Sequence, residues 1–294
     1  MKIFHHNDAD GRCAAAIAMR GAWLNGDVKN VDDIAFIEMD YAKPVPFELV
    51  KDDELVVIVD FSFKPEDMVR LQAITANIVW IDHHATAKDY PYQHLQGLRD
   101  FTDKGLCGCE LTWKYYFAHM PIPWAVASIG DYDSWRMQLK PSCLEFYEGL
   151  KLYDQAPTGE LWNRLLDEDY MSANKQVNTI MDEGNAVIKY RDMYCRELVQ
   201  AFGYECTLAG TPLKGFALNA YRFGSQAYES LKKGVYDVLI AYISDGHKTT
   251  VSLYSENPDV HCGELAKAYG GGGHKGAAGF HCPSNQPLPF TRKD

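Results

Sequence analysis

Short apolar runs separated by polar turns dominate the first hundred residues. Lys2 to His6 reads as a short strand, and Gly11 to Leu24, crowded with alanines, reads as a buried helix. Ile34 to Met39 is a second apolar run. Leu55 to Asp60 (Leu-Val-Val-Ile-Val-Asp) has the β-branched content of a strand buried on both faces. Pro65 opens a helix reaching Ile74. Asn77 to Asp82 repeats the buried-strand pattern. Strands alternating with helices predict a parallel α/β sheet.

From about Glu110 the pattern turns helical. Helices are expected at Glu110 to Ala118, Ser142 to Tyr153, Gly159 to Leu166 and, much longer, Ala173 to Gln200. Beyond Phe202 strands return at Tyr204 to Ala209, Leu213 to Ala220, Asp237 to Ser244 and Thr249 to Ser255. Asp245-Gly246 supplies a hairpin turn between the last two. Helices are expected at Ser225 to Lys233 and Cys262 to Tyr269. The expected organisation is an α/β domain with a helical extension over 1–172, a connector helix over 173–202, and a smaller α/β domain over 203–294.

Composition narrows the partners. The chain has 294 residues, 47% of them hydrophobic, which suits two packed domains and excludes global disorder. No apolar run approaches the roughly 18–20 residues of a membrane span. Met-Lys-Ile-Phe-His-His turns polar too early for a secretion signal, so a cytoplasmic protein is expected. The net charge is −11 and no dense basic run appears, which argues against long duplex nucleic acid. The eight cysteines contain no C-x-x-C pair, so reduced, mostly buried thiols are expected rather than a zinc ribbon.

The chemistry concentrates at strand ends. His6-Asn7-Asp8-Ala9-Asp10-Gly11 follows the first strand, Asp60 ends another, and Asp82-His83-His84 ends a third. In open parallel sheets ligands gather at the carboxyl ends of strands. Each acid alone is as readily a loop or helix cap. Together, on adjacent strands, they make a mixed oxygen and nitrogen donor set suited to Mn²⁺ or Mg²⁺. Ile129-Gly130-Asp131-Tyr132-Asp133 adds two further carboxylates, either of which would complete a site.

This ordered set resembles the DHH phosphoesterase superfamily. The C-terminal run Gly270-Gly271-Gly272-Gly273-His274-Lys275-Gly276-Ala277-Ala278-Gly279 is similar to the DHH-associated C-terminal domain, so the resemblance spans nearly the whole chain. It implies a five-stranded parallel sheet, a smaller substrate-binding domain and an active site between them. Two divalent ions are implied, Mn²⁺ with Mg²⁺ as alternative. His6 and Asp8 would hold one; Asp10, His83 and Asp131 would hold the other; Asp60 would bridge them. Asp131 is preferred over Asp133 in the fourth motif. His84 would face the phosphate, and Asp82 would support the imidazoles. Gly271, Gly272, Gly273, His274 and Lys275 would grip the substrate. Tyr254 stands where many relatives carry an arginine.

Two metals would activate a bridging water and offset phosphate charge. Of the superfamily, the chain looks most like small oligoribonucleases and nucleotide phosphodiesterases. Hydrolysis of short RNA or DNA oligonucleotides to mononucleotides is the expected activity. Alternatives are a phosphatase or phosphodiesterase for a small nucleotide (bisphosphate, pyrophosphate or cyclic dinucleotide) and a non-catalytic nucleotide-binding protein. A decayed binding module would be expected to lose ligands, and all six positions are filled.

Overall fold

The computed structural model describes residues 1–41, 43–167, 169–221, 223–273 and 275–293. The expected substrate contact His274 therefore lies outside the described residues. The chain divides into two compact units, Met1–Val187 and Ile188–Asp294.

The first unit is built on four parallel strands: β1 (Lys2–His6), β2 (Ala35–Met39), β3 (Val56–Val59) and β4 (Ile78–Ile81), in the order β2-β1-β3-β4. Every residue of β3 and β4 is buried. Their side chains alternate between two apolar layers, as the period of two requires. Val57, Val59, Val79 and Ile81 pack with the alanine-rich helix α1 (Ala9–Asn25). Val56, Ile58, Ile78 and Trp80 pack on the other face with Phe4, Phe63, Met68 and Leu71. The last two lie on helix α2 (Pro65–Gln72). Burying each such side chain contributes about 1.5–3 kcal/mol. These layers fix where the strand ends lie.

Among the described residues the implied fifth strand is present only as isolated bridges. Trp80 N donates to Gln96 O at 2.8 Å, Asp82 N to Leu98 O at 3.2 Å, and Asp100 N to Asp82 O at 3.2 Å. Helices α3 (Gly108–Tyr116), α4 (Trp124–Asp133), α5 (Ser142–Leu150) and α6 (Glu160–Leu165) complete the unit. The long helix α7 (Tyr170–Phe202) begins in the first unit and ends in the second, so the division falls inside the expected connector.

The second unit holds a seven-stranded sheet, ordered β11-β5-β6-β7-β8-β10-β9. Its strands are β5 (Tyr204–Leu208), β6 (Lys214–Asn219), β7 (Val238–Ser244), β8 (Lys248–Tyr254), β9 (Gly272–Gly273), β10 (Ala277–Pro283) and β11 (Phe290–Arg292). Among the described residues only β6 and β7 pair in parallel. The Asp245-Gly246 hairpin forms as its dipeptide predicts, with Gly246 at φ 91°. Helix α8 (Cys262–Lys267) also forms. The expected helix at Ser225 to Lys233 does not. A short 3₁₀ turn, Gly224–Tyr228, stands there and buries only Ala227 and Tyr228, too little apolar surface to hold an α-helix. Among the described residues no helix is long and apolar enough to cross a membrane.

Candidate metal centre

The carboxyl ends of β1, β3 and β4 bring His6, Asp8, Asp60, Asp82, His83 and His84 to one edge of the first unit's sheet. Asp8 caps α1, accepting the Gly11 amide at 2.9 Å, and His6 Nδ1 lies 2.7 Å from its other oxygen. Burial opposes charge on Asp8. The His6 imidazole and the Gly11 amide overcome it and hold the carboxyl down at about 2.

Asp60 is the centre of the cluster. It follows β3 in the left-handed region, φ 53°, and is only 1% exposed. His83 Nε2 lies 3.1 Å from its Oδ1 and His6 Nδ1 3.7 Å from its Oδ2. Yet among the described residues neither oxygen accepts a hydrogen bond. Burial, then the negative charges of Asp10, Asp8 and Asp133, push its carboxyl well above the usual range. Asp133 is raised by the same causes, burial first and then Asp10 and Asp8. Acids packed this closely cannot all ionise without a compensating cation.

Asp10, in the first turn of α1, is held by the start of α3. The amides of Gly108 and Cys109 each donate to it at 2.7 Å, and the Cys107 thiol donates at 3.1 Å. This is the anion site of a helix N-terminus, filled from within the chain. One Asp10 oxygen still lies 3.7 Å from His83 Nε2. Gly108 is required by close approach: a Cβ there would sit 2.4 Å from that of Asp60.

The fourth motif departs from the expected choice. Asp131 does not join the cluster. Its carboxylate accepts the amides of Gln138 and Leu139, both at 2.9 Å, and pins the turn after α4. Burial disfavours its charge, but those amides, the Cys143 thiol and Arg136 keep its carboxyl below the ordinary value. Asp133 instead lies 3.4 Å from His83 Nε2. Two residues apart on a helix means about 200° of rotation, so only one of the pair faces the site. Arg136 is likewise structural, bound to Glu110 at 2.8 Å and to Gly105 O at 2.9 Å.

Asp82 sits behind His84. Its Oδ1 accepts His84 Nδ1 at 2.7 Å and the amides of His83 and His84 at 2.8 and 3.3 Å. Ser62 Oγ donates to its other oxygen. Burial lowers the His84 pKa, and the Asp82 carboxylate more than offsets it, raising the imidazole to about 9. This contact fixes Nδ1 and leaves Nε2 for another partner.

Three donor groups result, each with ligand atoms within 4.8 Å of one another: His6, Asp8 and Asp60; Asp10, His83 and Asp133; and Asp60, His83 and His84. The unpartnered oxygens of Asp60, flanked by imidazoles, fit divalent cations of oxygen and nitrogen preference. Asp10 with Cys107 and Cys109 is equally compact but already satisfied by hydrogen bonds. The sequence ranked Asp133 second, and it offered no sign of Ser62 or Tyr41. Tyr41 follows β2, and its ring lies 5.9 Å from that of His6 and 5.8 Å from that of His84.

The glycine run is shaped by the chain's own geometry. Gly270 has φ 75°, and its amide and that of Gly271 cap α8 through Lys267 O and Ala266 O, both at 3.0 Å. Gly272 and Gly273 pair with Gly279 and Ala278. Lys275 is exposed, and its carbonyl accepts the Cys262 amide at 2.8 Å.

Comparison with known proteins places residues 1–129 in a match to the DHH family, N-terminal domain. An uncharacterized protein of Acanthamoeba polyphaga mimivirus is 25% identical over 246 residues. That alignment covers 81% of this chain and 56% of the relative, so the chain spans little more than half of it. Exonuclease RecJ bound to manganese superposes with TM-score 0.55 at 17% identity, covering 95% of this chain and 84% of that one. RecJ of Thermus thermophilus with Mn²⁺ gives 0.54 at 18%, covering 95% and 49%. The DHH domain of a member of a ribosomal protein family gives 0.58 at 13%, covering 95% and 81%. These likenesses establish the fold.

Proposed function

We propose that the chain, whose residues 1–129 match the DHH family N-terminal domain, is a divalent-metal-dependent phosphodiesterase acting on short oligonucleotides. The observation that carries this reading is Asp60: a buried carboxylate with two unpartnered oxygens set among imidazoles. His6, Asp8 and Asp60 would hold one cation; Asp10, His83 and Asp133 would hold a second, with Asp60 shared. The manganese of the RecJ structures supports Mn²⁺ as the first cation to try. Cations in such a set supply Lewis acidity, offsetting phosphate charge and easing loss of a proton from water.

The chain's own groups do the rest. Asp82 fixes His84 Nδ1, so that Nε2 is free to donate to a phosphoryl oxygen. The α3 N-terminus holds Asp10 with three donors, so that its position does not depend on the cation. Gly272, Gly273 and Lys275 are proposed as substrate contacts. The acidic chain favours a short ligand over a long strand, since a long strand needs a basic groove.

The test is hydrolysis by purified protein with Mn²⁺, with Mg²⁺ and chelator beside it. The panel holds 5′-labelled RNAs of about 2–20 nucleotides, pyrophosphate, a nucleotide bisphosphate and a cyclic dinucleotide. Stepwise release of mononucleotides, fastest from the shortest RNAs, is expected. Cleavage of a small nucleotide alone would overturn the oligonucleotide assignment. No cleavage by protein shown to bind Mn²⁺ would overturn the enzymatic reading.

A further inference from the structure

Four aromatic side chains run from the core to the surface beside the candidate centre. Phe4 and Phe63 meet edge to face at 5.2 Å, and Phe63 and Phe61 at 5.9 Å. Tyr41 stacks on Phe61 at 4.6 Å and 26°. The inner three are buried, whereas Tyr41 is 49% exposed. Its ring also lies edge-on to His84, the imidazole set to meet a phosphoryl oxygen. A ring braced on one face by the core and left half open to solvent costs little entropy to stack against a flat ligand.

We propose that Tyr41 is the platform on which a nucleobase of the substrate stacks, so that the site takes phosphates carrying a planar aromatic group. The inference rests on the phosphodiesterase reading and deepens it. A nucleotide places its base one sugar away from its phosphate, the scale of the 5.8–5.9 Å between Tyr41 and the two imidazoles. Stacking on a protein aromatic tolerates every base, which suits degradation of mixed sequences.

Calorimetric titration of the Mn²⁺-loaded protein with AMP and with ribose 5-phosphate isolates the base. The wild type should bind AMP about 5- to 150-fold more tightly, the range of one stacked base. Tyr41→Leu should bring that ratio close to one, and Tyr41→Phe should keep it. Tyr41→Trp gives a second readout, with indole fluorescence quenched by AMP and not by ribose 5-phosphate. Equal affinities in the wild type, or a ratio that survives Tyr41→Leu, would overturn the assignment. A base preference in protein that hydrolyses nothing would overturn the phosphodiesterase reading while keeping Tyr41 as the platform. Hydrolysis without base preference would do the reverse.

Discussion

Asp60 and Asp131 are both almost wholly buried, and their surroundings are opposite in kind. Asp131 receives two backbone amides at 2.9 Å and holds a turn. Asp60 receives no hydrogen bond among the described residues and is crowded by other acids. A folded chain tolerates a buried carboxylate when it supplies the donors itself. Where the chain withholds them and adds imidazoles, the carboxyl either keeps its proton or is balanced by a bound cation. Burial and acidity therefore do not separate a candidate ligand from a structural acid; the donors do.

The largest expected break is at Asp60. Asp60→Asn should take hydrolysis below a few per cent of wild type in metal-replete buffer and abolish the cation-induced rise in Tm. More residual activity would remove Asp60 from the proposed shared position. The same substitution should stabilise the metal-free protein, with a definite pH dependence. The folded pKa values of Asp60 and Asp133 are raised, so the folded state keeps protons that the unfolded chain releases. Metal-free stability should then fall as pH rises from about 4 through those raised values. His84, raised to about 9, acts in the same direction at higher pH. Asp8, Asp82 and Asp131 are lowered and lose their contribution only below about pH 4. Denaturant melts in chelator at pH 5 to 8 should show a shallower fall for Asp60→Asn than for wild type. Equal slopes would contradict this account.

Exchanging the targets sharpens the contrast. Asp133→Ala should weaken cation binding by more than the roughly 10–100-fold that an outer partner is worth, without loss of metal-free stability. Asp131→Ala should leave cation binding within a few-fold and cost about 1–3 kcal/mol, because two part-buried amides lose a charged acceptor. Isothermal titration with Mn²⁺ and chemical denaturation separate the two, and a reversed pattern would restore Asp131 as the ligand.

Asp82 lies between these extremes: satisfied like Asp131, yet pressed against the site. Asp82→Asn should lower kcat about 10–100-fold, since an amide does not impose the same ring nitrogen on His84. Bound Mn²⁺ should stay near the wild-type stoichiometry by elemental analysis. Metal loss equal to that of Asp133→Ala would make Asp82 part of the cation cage.

Much of this was legible beforehand because it follows from short-range rules. The runs Val56–Val59 and Ile78–Ile81 are buried on both faces, and that pattern, alternating with helices, points to parallel strands. Parallel strands then gather their terminal His and Asp residues at one edge. Asp131 against Asp133 was not legible, because helix phase is fixed by packing of the whole element. Tyr41 did not stand out, because one tyrosine after a strand carries no periodic signal. The glycine run misled in part: four glycines suggest an anion loop, and two of them close a helix.

That run carries the smallest expected effect and the finest comparison. Gly270 needs its left-handed backbone, φ 75°, so Gly270→Ala should cost about 1 kcal/mol and alter nothing at the metal centre. Gly272 has no positive φ, and a methyl added there would meet no atom within 4 Å, so Gly272→Ala should change stability by less than about 0.5 kcal/mol. If the segment grips substrate through closely approached backbone, that methyl should raise KM a few-fold while kcat and Tm hold. A KM within error of wild type would show that the glycine serves the hairpin alone.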